Sequence, residues 1–259
     1  MINKIKELYT YREMIASLIR RDLRGKYKAS TLGFLWTFLN PIMQLLVYTF
    51  VFSIVMRAGI EKFYIYLFVG LVPWNFFSSS VAGGAYAVVS QENLIKKIYF
   101  PRLVLPISYV TSALVNMLLV FIVIFAVLFL SGFGISVQAI CYLPLIFFVE
   151  YILALGLCMI TSALTVYFRD LEYLLNIAMM ALVYLTPVMY TLEMVPENLR
   201  FLYHLNPMTA IVEAYHEILY YKIVPQVSTL TSAVVGGVTC LVIGTLIFEK
   251  MQKRFVEEL

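Results

Sequence analysis

Several long stretches of this chain contain no charged residue, and their length limits the possible folds more than any other feature. The longest runs from residue 103 to 149, which is 47 residues without Asp, Glu, Lys or Arg. One helix of that length would extend about 70 Å, whereas the hydrocarbon core of a bilayer is about 30 Å thick. Because residues 131–134 (Ser-Gly-Phe-Gly) are typical of a turn, we expect two membrane-crossing helices here.

The composition excludes a soluble protein. Hydrophobic residues make up 62% of the 259 residues and charged residues only 13%, whereas soluble domains have about 45–50% and about 25%. The net charge of +4 therefore does not indicate a nucleic-acid partner. The first 28 residues are charged throughout and lack the apolar core of a signal peptide, so we expect insertion through the chain's own spans.

The apolar windows predict an all-α integral membrane protein with six transmembrane helices. An N-terminal cytoplasmic interfacial helix, residues 1–30, precedes the transmembrane domain, residues 31–259. The predicted spans are 32–56, 63–89, 104–130, 137–166, 172–191 and 228–248. Residues 192–222 are apolar but interrupted by acids, histidines and an Asn-Pro pair, so we expect a re-entrant helical pair on the outer side.

The positions of the basic residues predict the orientation. With both termini in the cytoplasm, the inner side holds eight Lys and Arg in 1–28, three in 90–102, Arg169, and three in 250–254. The outer side then holds only Arg57, Lys62, Arg200 and Lys222. Since cytoplasmic loops are enriched in Lys and Arg, this imbalance indicates that both termini are cytoplasmic.

Two segments on the predicted inner side have an amphipathic pattern. In residues 8–28 apolar residues recur at helical spacing and basic residues crowd the end. The segment is either an anchor on anionic lipid or a docking surface for a cytoplasmic partner. Residues 91–102 predict a short amphipathic helix ended by Pro101, and the alternative is an ordinary basic loop.

The sequence carries no recognisable catalytic or metal-binding motif. It lacks the G-x-x-x-x-G-K-[ST] phosphate loop, a G-x-S-x-G element and an H-E-x-x-H pair. Cysteines 141, 158 and 240 are isolated within apolar stretches, which favours packing over metal binding. Glu150 is the one acid well inside a predicted span, and we expect it to line a wet cavity or a subunit contact. Residue chemistry alone thus indicates a membrane protein, and a transporter subunit is one function that fits it.

A series of short motifs in a fixed order adds a family resemblance. The motifs are Thr31-Leu32-Gly33-Phe34-Leu35-Trp36, Asn40-Pro41, Gly-x-x-Pro-Trp-x-Phe-Phe at 70–77, Leu-Ile-Lys-Lys-Ile-Tyr-Phe-Pro at 94–101, Phe168-Arg169-Asp170, Thr186-Pro187-Val188-Met189-Tyr190 and Leu205-Asn206-Pro207-Met208. Together they resemble the permease subunit of ABC exporters for cell-surface polysaccharides, which include O-antigen, teichoic acid and rhamnan exporters. The resemblance extends from about residue 10 to 255.

The resemblance implies a half-transporter in the bacterial inner (cytoplasmic) membrane. Two copies of the chain would form the channel, and two copies of a separate P-loop ATPase would bind ATP and Mg beneath it. The chain itself would be no enzyme and would hold no cofactor or metal. Its substrate would be a polysaccharide linked to undecaprenyl diphosphate, and membrane lipid would surround it.

The resemblance also implies roles for individual residues. Contacts with the ATPase would involve Arg20, Arg21, Arg24, Lys26, Lys28, Leu32, Gly33, Arg169 and Asp170. A gate helix that meets the lipid diphosphate would include Lys96, Lys97, Tyr99, Phe100, Pro101 and Arg102. The glycan path would be lined by Trp36, Phe38, Tyr48, Phe52, Tyr184 and Tyr190. The outer exit would be framed by Pro187, Asn206, Pro207 and Glu213.

Three other functions remain open at this point. An ABC exporter permease for a drug, antibiotic or lipid would share the six-span plan. A membrane-embedded enzyme acting on lipid carriers would need clustered acids or histidines at one face of the membrane. A proton-coupled transporter or channel would make Glu150 indispensable.

Overall fold

The described part of the chain is built from helices, as the computed structural model shows for residues 2–25, 32–55 and 59–259. The α-helices are α1 (Ile2–Thr10), α2 (Arg12–Gly25), α3 (Trp36–Thr49), α4 (Phe63–Val81), α5 (Glu92–Lys97), α6 (Val104–Leu130), α7 (Val137–Ile140), α8 (Leu143–Tyr167), α9 (Leu171–Leu182), α10 (Glu197–Leu205), α11 (Pro207–Tyr215), α12 (Val227–Met251) and α13 (Phe255–Glu258). Two π-helical turns, Phe50–Val55 and His216–Tyr221, extend α3 and α11. The prediction of an all-helical membrane protein agrees with this architecture.

Four helical segments are long and apolar enough to cross a membrane, counting only the residues described above. They are Phe63–Tyr86, Val104–Leu130, Val137–Tyr167 and Val227–Glu258. Two shorter apolar helices lie where the first and fifth spans were predicted, at Trp36–Phe52 and Leu171–Leu182. The total of six spans stays a prediction, because α9 has only 12 residues and a perpendicular crossing needs about 20.

Two predicted spans differ from the helices observed. The segment expected at 137–166 is interrupted at Cys141–Tyr142, between α7 and α8. The span expected at 172–191 ends as a helix at Leu182, and turns follow to Tyr190. These turns contain Pro187, which lacks the backbone N–H that a continuing helix would use.

The N-terminal segment is two helices rather than one. Helices α1 and α2 meet at a turn at Tyr11, and Leu18 of α2 is buried. Helix α2 packs along α6, so the interfacial segment is fixed to the transmembrane bundle. Lys26 and Lys28, which were expected in the same helix, lie outside the described residues.

Helix α4 forms the centre of the bundle. Nearly all of its side chains are buried, and it packs against α3, α6 and α8. Its high apolar content thus serves contacts between helices more than contacts with lipid. Helix α12 runs along α8, where Gly156 and Gly244 bring the two backbones together.

The two ends of the bundle differ in charge and are each held by contacts between elements. At one end, called the basic end here, Arg21 donates to Gln91 (3.1 Å) and the Tyr167 hydroxyl to the carbonyl of Met251 (3.0 Å). At the opposite end the Tyr66 hydroxyl donates to the carbonyl of Tyr190 (2.9 Å). The basic end collects the segments expected to be cytoplasmic, and the opposite end collects those expected outside.

Candidate functional site

A cavity lies within the helix bundle between α3, α4 and α6. Its volume is about 520 Å³. The lining residues combine an aromatic rim with amides and hydroxyls: Trp36, Thr37, Asn40, Pro41, Gln44, Val72, Asn75, Phe76, Ser79, Ala113, Asn116, Met117 and Val120. Trp36 begins α3, Ser79 is near the end of α4, and Val120 is midway along α6. The cavity therefore extends from the basic end toward the middle of the bundle, and is called the amide cavity below.

Two amides in the cavity bond to each other. Asn40 and Gln44 are one helical turn apart on α3 and so share a face. The Asn75 side-chain nitrogen donates to the Gln44 oxygen at 3.0 Å, which joins α4 to α3. Within a membrane bundle such polar side chains face the protein interior or a water-filled space. The sequence analysis missed this group, although an Asn and a Gln at helical spacing in an apolar span were a visible signal.

The six aromatic residues predicted to line the glycan path do not form one wall within a single chain. Trp36 lines the amide cavity. Tyr48 packs edge-on against Phe52, whose ring is 5.9 Å from that of Phe63. The Tyr190 hydroxyl donates to the carbonyl of Tyr184 (2.7 Å) at the opposite end. The other two side chains also differ in setting, since Phe38 is half-buried and Tyr184 exposed.

The segment 91–102, called the gate segment here, is shorter as a helix than predicted. Helix α5 ends at Lys97, and Ile98 is extended, four residues before Pro101 was expected to end it. The Lys96 ammonium lies 2.6 Å from the Glu92 carboxylate. This hydrogen bond, with the lysine's charge, lowers the pKa of Glu92 below its usual value.

A second cavity, of about 600 Å³, lies beside the gate segment at the basic end. All six predicted gate residues line it, together with the second half of α1 and the end of α12 with the turns after it: Glu7, Leu8, Ile95, Lys96, Lys97, Ile98, Tyr99, Phe100, Pro101, Arg102, Leu103, Glu249, Gln252, Lys253 and Val256. Tyr99 is 89% exposed, whereas Phe100 is buried. Arg102 donates to the carbonyl of Gln252, which ties the gate segment to the last long helix.

The residues predicted to contact an ATPase lie at the basic end, as far as the structure describes them. Arg20, Arg24, Arg169 and Asp170 are exposed, so each is accessible to a partner. Arg21 differs, because its guanidinium bonds to Gln91 at the start of the gate segment and to Asp22. Two more predicted residues follow the gap in the described chain, Leu32, which is exposed, and Gly33, which has a positive φ of 46°.

Three of the four residues predicted at the outer exit lie around one helix start. The Asn206 side chain accepts from the backbone of Met208 (3.0 Å) and donates to the Thr186 hydroxyl (3.0 Å). Pro207 is the first residue of α11, a position that suits proline. Pro187 is buried next to Thr186, and Glu213 is half-buried further along α11.

Buried polar contacts that the sequence analysis missed hold the segment after α11 to the bundle. Glu150 is 0% exposed and accepts a hydrogen bond from the Tyr215 hydroxyl at 2.5 Å. Its partner thus belongs to the same chain, and the full burial of Glu150 leaves no surface for the expected subunit contact. The other expectation, that it lines a wet cavity, stays a prediction. His216 stacks on Tyr66, with 3.8 Å between ring centroids, and its Nε2 lies 3.0 Å from the Tyr66 carbonyl.

No cluster of His, Cys, Asp or Glu suited to a metal ion occurs in the part of the chain that the structure describes. The two cavities differ in lining, with amides and an aromatic rim in one and basic side chains around the other.

Comparison with known proteins assigns the family. The model of the "ABC-2 type transporter" family matches residues 13–220. The chain belongs to the ABC-2 type transporter family. An O-antigen export system permease protein, RfbA, of Myxococcus xanthus is 36% identical over 261 residues and covers 100% of both chains. A protein of the same name from Klebsiella pneumoniae is 31% identical over 95% of this chain and 94% of its own.

A third relative is named for a different polymer. The polysialic acid transport protein KpsM of Escherichia coli is 23% identical over 93% of this chain and 95% of its own. The match to the ABC-2 family extends from α2 to the π-helical turn after α11. The resemblance to polysaccharide exporter permeases, predicted from the motifs, is confirmed by these comparisons.

Proposed function

We propose that the chain is the permease subunit of an ATP-driven exporter of a cell-surface polysaccharide. The likeness to an O-antigen export permease over the full length of both chains carries this proposal. Drug, antibiotic and lipid exporters, which the motifs left open, are disfavoured because the three relatives described above are named for O-antigen export or polysialic acid transport. A membrane enzyme is disfavoured because the relatives are named as permease and transport proteins.

The substrate we propose is a polysaccharide on undecaprenyl diphosphate that leaves the cytoplasm through the inner membrane. Its diphosphate would meet the gate segment, where ammonium groups are suitable phosphate partners. Lys97 is exposed and has no hydrogen bond or ion pair among the described residues, whereas Lys96 is already paired with Glu92. Lys97 is therefore the better candidate of the two for phosphate binding.

The energy source would be a separate P-loop ATPase, two copies of which bind ATP and Mg at the basic end. The exposed Arg20 and Arg24 of α2 support a docking surface there, because they lie on the helix whose other side packs against α6. The hydrogen bond from Arg21 to Gln91 joins this surface to the gate segment. A movement of the docked ATPase could thus be passed to the gate segment by direct contact.

A second copy of the chain would complete the channel. Two apolar surfaces support this arrangement, one on α3 and one on α9. The exposed apolar residues are Trp36, Met43, Leu46 and Val47 on α3 with Phe50 just after it, and Tyr173, Leu174, Ile177 and Met180 on α9. Within an inner membrane, with both termini in the cytoplasm, these surfaces would meet their counterparts across a twofold axis.

Co-purification with an ATPase tests the proposed function. We expect the tagged full chain, taken from its native membrane in mild detergent, to bring down a P-loop ATPase at about one per copy, since half-transporters pair in this way. The variant Arg20→Glu/Arg24→Glu should lose most of this partner because both charges on the docking surface are reversed. Surface polysaccharide on the same cells should fall with it.

Arg12→Glu is the matched control, since Arg12 is also exposed but lies at the opposite end of α2. It should keep both the partner and the surface polysaccharide. A wild-type chain that purifies without any ATPase, or cells whose surface polysaccharide does not depend on the chain, would refute the proposed function.

A further inference from the structure

The amide cavity has hydrogen-bonding groups of both kinds facing its interior. An amide side chain carries two donor hydrogens and one acceptor oxygen. After the bond from Asn75 to Gln44, the Gln44 nitrogen remains as a donor and the Asn75 oxygen as an acceptor, with no further hydrogen bond within the described residues. Asn40 adds another amide around the same space, and Ser79 adds the oxygen of its hydroxyl, which itself donates to the Phe76 carbonyl. The cavity thus offers a donor and an acceptor side by side.

This chemistry selects among possible occupants. A lipid chain would need an apolar cavity, since it cannot satisfy amide groups. A bound cation would need carboxylates, and the lining residues include none. A sugar presents hydroxyls, each of which donates one hydrogen bond and accepts others, and its less polar face can pack on an aromatic ring such as Trp36.

The size and position of the cavity agree with a passing polymer. Its volume of about 520 Å³ lies in the usual range of ligand sites, about 300–1,000 Å³. Trp36 and Asn40 line it and are also exposed on α3. The cavity therefore opens toward the surface that the proposed second copy would cover, so that it would face the enclosed channel.

We propose that the amide cavity is a sugar-binding subsite of the channel, in which Gln44, Asn75 and Asn40 replace the water around hydroxyls of the glycan. This inference rests on the proposed function. The subsite lowers the free energy needed to move a hydrated polymer into an apolar bundle, because a hydroxyl that loses a hydrogen bond to water gains one to an amide. No single sugar identity is required, since amides bind hydroxyls of many sugars.

The decisive variant is Gln44→Leu/Asn75→Leu, assayed with the full chain in cells. Replacing both partners together removes the sugar contacts without leaving one amide unpaired. We expect surface polysaccharide to fall at least about tenfold, as lost hydrogen bonds to the substrate predict. Lipid-linked glycan should accumulate inside, and the amounts of chain and ATPase in the membrane should not change. Asn40→Leu, on the exposed rim, should lower export in the same direction.

Two further variants separate sugar binding from packing. Thr111→Val/Tyr151→Phe removes another hydrogen-bonded pair between helices, 2.9 Å apart and outside the amide cavity, and should keep export. Gln44→Asn/Asn75→Gln exchanges the two amides and should keep at least about half of it.

The outcomes distinguish this proposal from the proposed function. Normal export by the double leucine variant would overturn the subsite and leave the exporter intact. Loss of export in the Thr111 and Tyr151 control to the same degree would also overturn the subsite, because packing would then explain both. If the double leucine variant fails to reach the membrane, Asn40→Leu decides, and normal export by it refutes the subsite. Surface polysaccharide that is independent of the wild-type chain would refute the proposed function itself.

Discussion

Lys96 and Lys97 are adjacent in the sequence but have different surroundings. Helical geometry places Glu92 four residues before Lys96, where the two side chains meet at 2.6 Å. Lys97 points to another side of α5 and is exposed. The family resemblance predicted a gate role for both lysines, and the structure distinguishes them because only Lys96 has its charge partly neutralised.

We expect Lys97→Gln to reduce polysaccharide export more than Lys96→Gln. Lys97 has no ion-pair partner among the described residues, so its loss should weaken binding of the phosphate by about 1 kcal/mol, which is about fivefold in export. Export by Lys96→Gln should stay within about twofold of wild type. The amount of surface polysaccharide per cell checks which variant loses more export. Lys250→Gln is the control, because it removes a basic residue that does not line the cavity beside the gate segment. Equal losses for the two lysine variants would contradict this view of the gate segment.

The difference in export between Lys97→Gln and Lys96→Gln should not change near neutral pH. The pKa of Glu92 is lowered below 4.5, so the ion pair persists above that value and is lost only as the pH falls through the lowered pKa. Export by the two variants, compared at about pH 6 and about pH 8, should therefore keep the same order.

At the scale of elements, small residues set how closely helices α8 and α12 pack. A methyl group at Gly244 would meet the Gly156 carbonyl oxygen at 2.2 Å, and one at Gly156 would meet the backbone of Cys240 at 2.4 Å. The buried residues Ala233, Gly237 and Gly244 of α12 lie on one face at spacings of four and seven. Small residues at such spacings allow close helix packing in membranes.

Gly244→Ala should destabilise the protein by about 1–3 kcal/mol, the usual cost of overpacking a tight contact. The obstacle is backbone, which cannot rotate away as a side chain can. A lower melting temperature of the purified chain in detergent would show the effect. Gly237→Ala is the comparison, because its methyl group would approach Val149 only to 3.2 Å, and it should shift the melting temperature less. A Gly244→Ala chain as stable as wild type would contradict the close crossing.

The charge-free runs of the sequence predicted the bounds of some helices but not of others. Charge-free runs located α6 at 104–130 in agreement with the structure. They did not predict that α9 ends at Leu182, because residues 183–190 are as apolar as the helix before them. Those residues contain Pro187, which cannot supply the backbone N–H of a continuing helix. Apolar length predicts burial in the membrane or the protein, but the backbone path also depends on which N–H groups find partners.

At the scale of the whole molecule, a single copy of the chain leaves one cavity and two apolar surfaces open. The amide cavity opens at the surface of α3, and exposed apolar side chains continue along that helix and α9. Both surfaces would be covered in the proposed dimer, which also would bring the dispersed aromatic residues of two chains toward one path.

Crosslinking tests this arrangement. In a chain whose three cysteines are replaced by alanine, the pair Met43→Cys and Ile177→Cys should give a covalent dimer with a short bifunctional maleimide in native membranes. Val235→Cys, exposed on α12, is the control and should remain monomeric. A dimer formed equally by the control, or none from the Met43 and Ile177 pair, would show that α3 and α9 are not the joined surfaces.

The sequence by itself determined that this protein lies in a membrane and that it is helical. Apolar length, the low charge content and the ordered motifs act locally along the chain, so they indicated a helical membrane permease and placed its basic segments. Only the tertiary structure decided which polar side chains meet, as in the pairs Gln44 with Asn75 and Glu150 with Tyr215, 31 and 65 residues apart. Such contacts depend on the rotation and crossing of packed helices, which hydropathy does not specify.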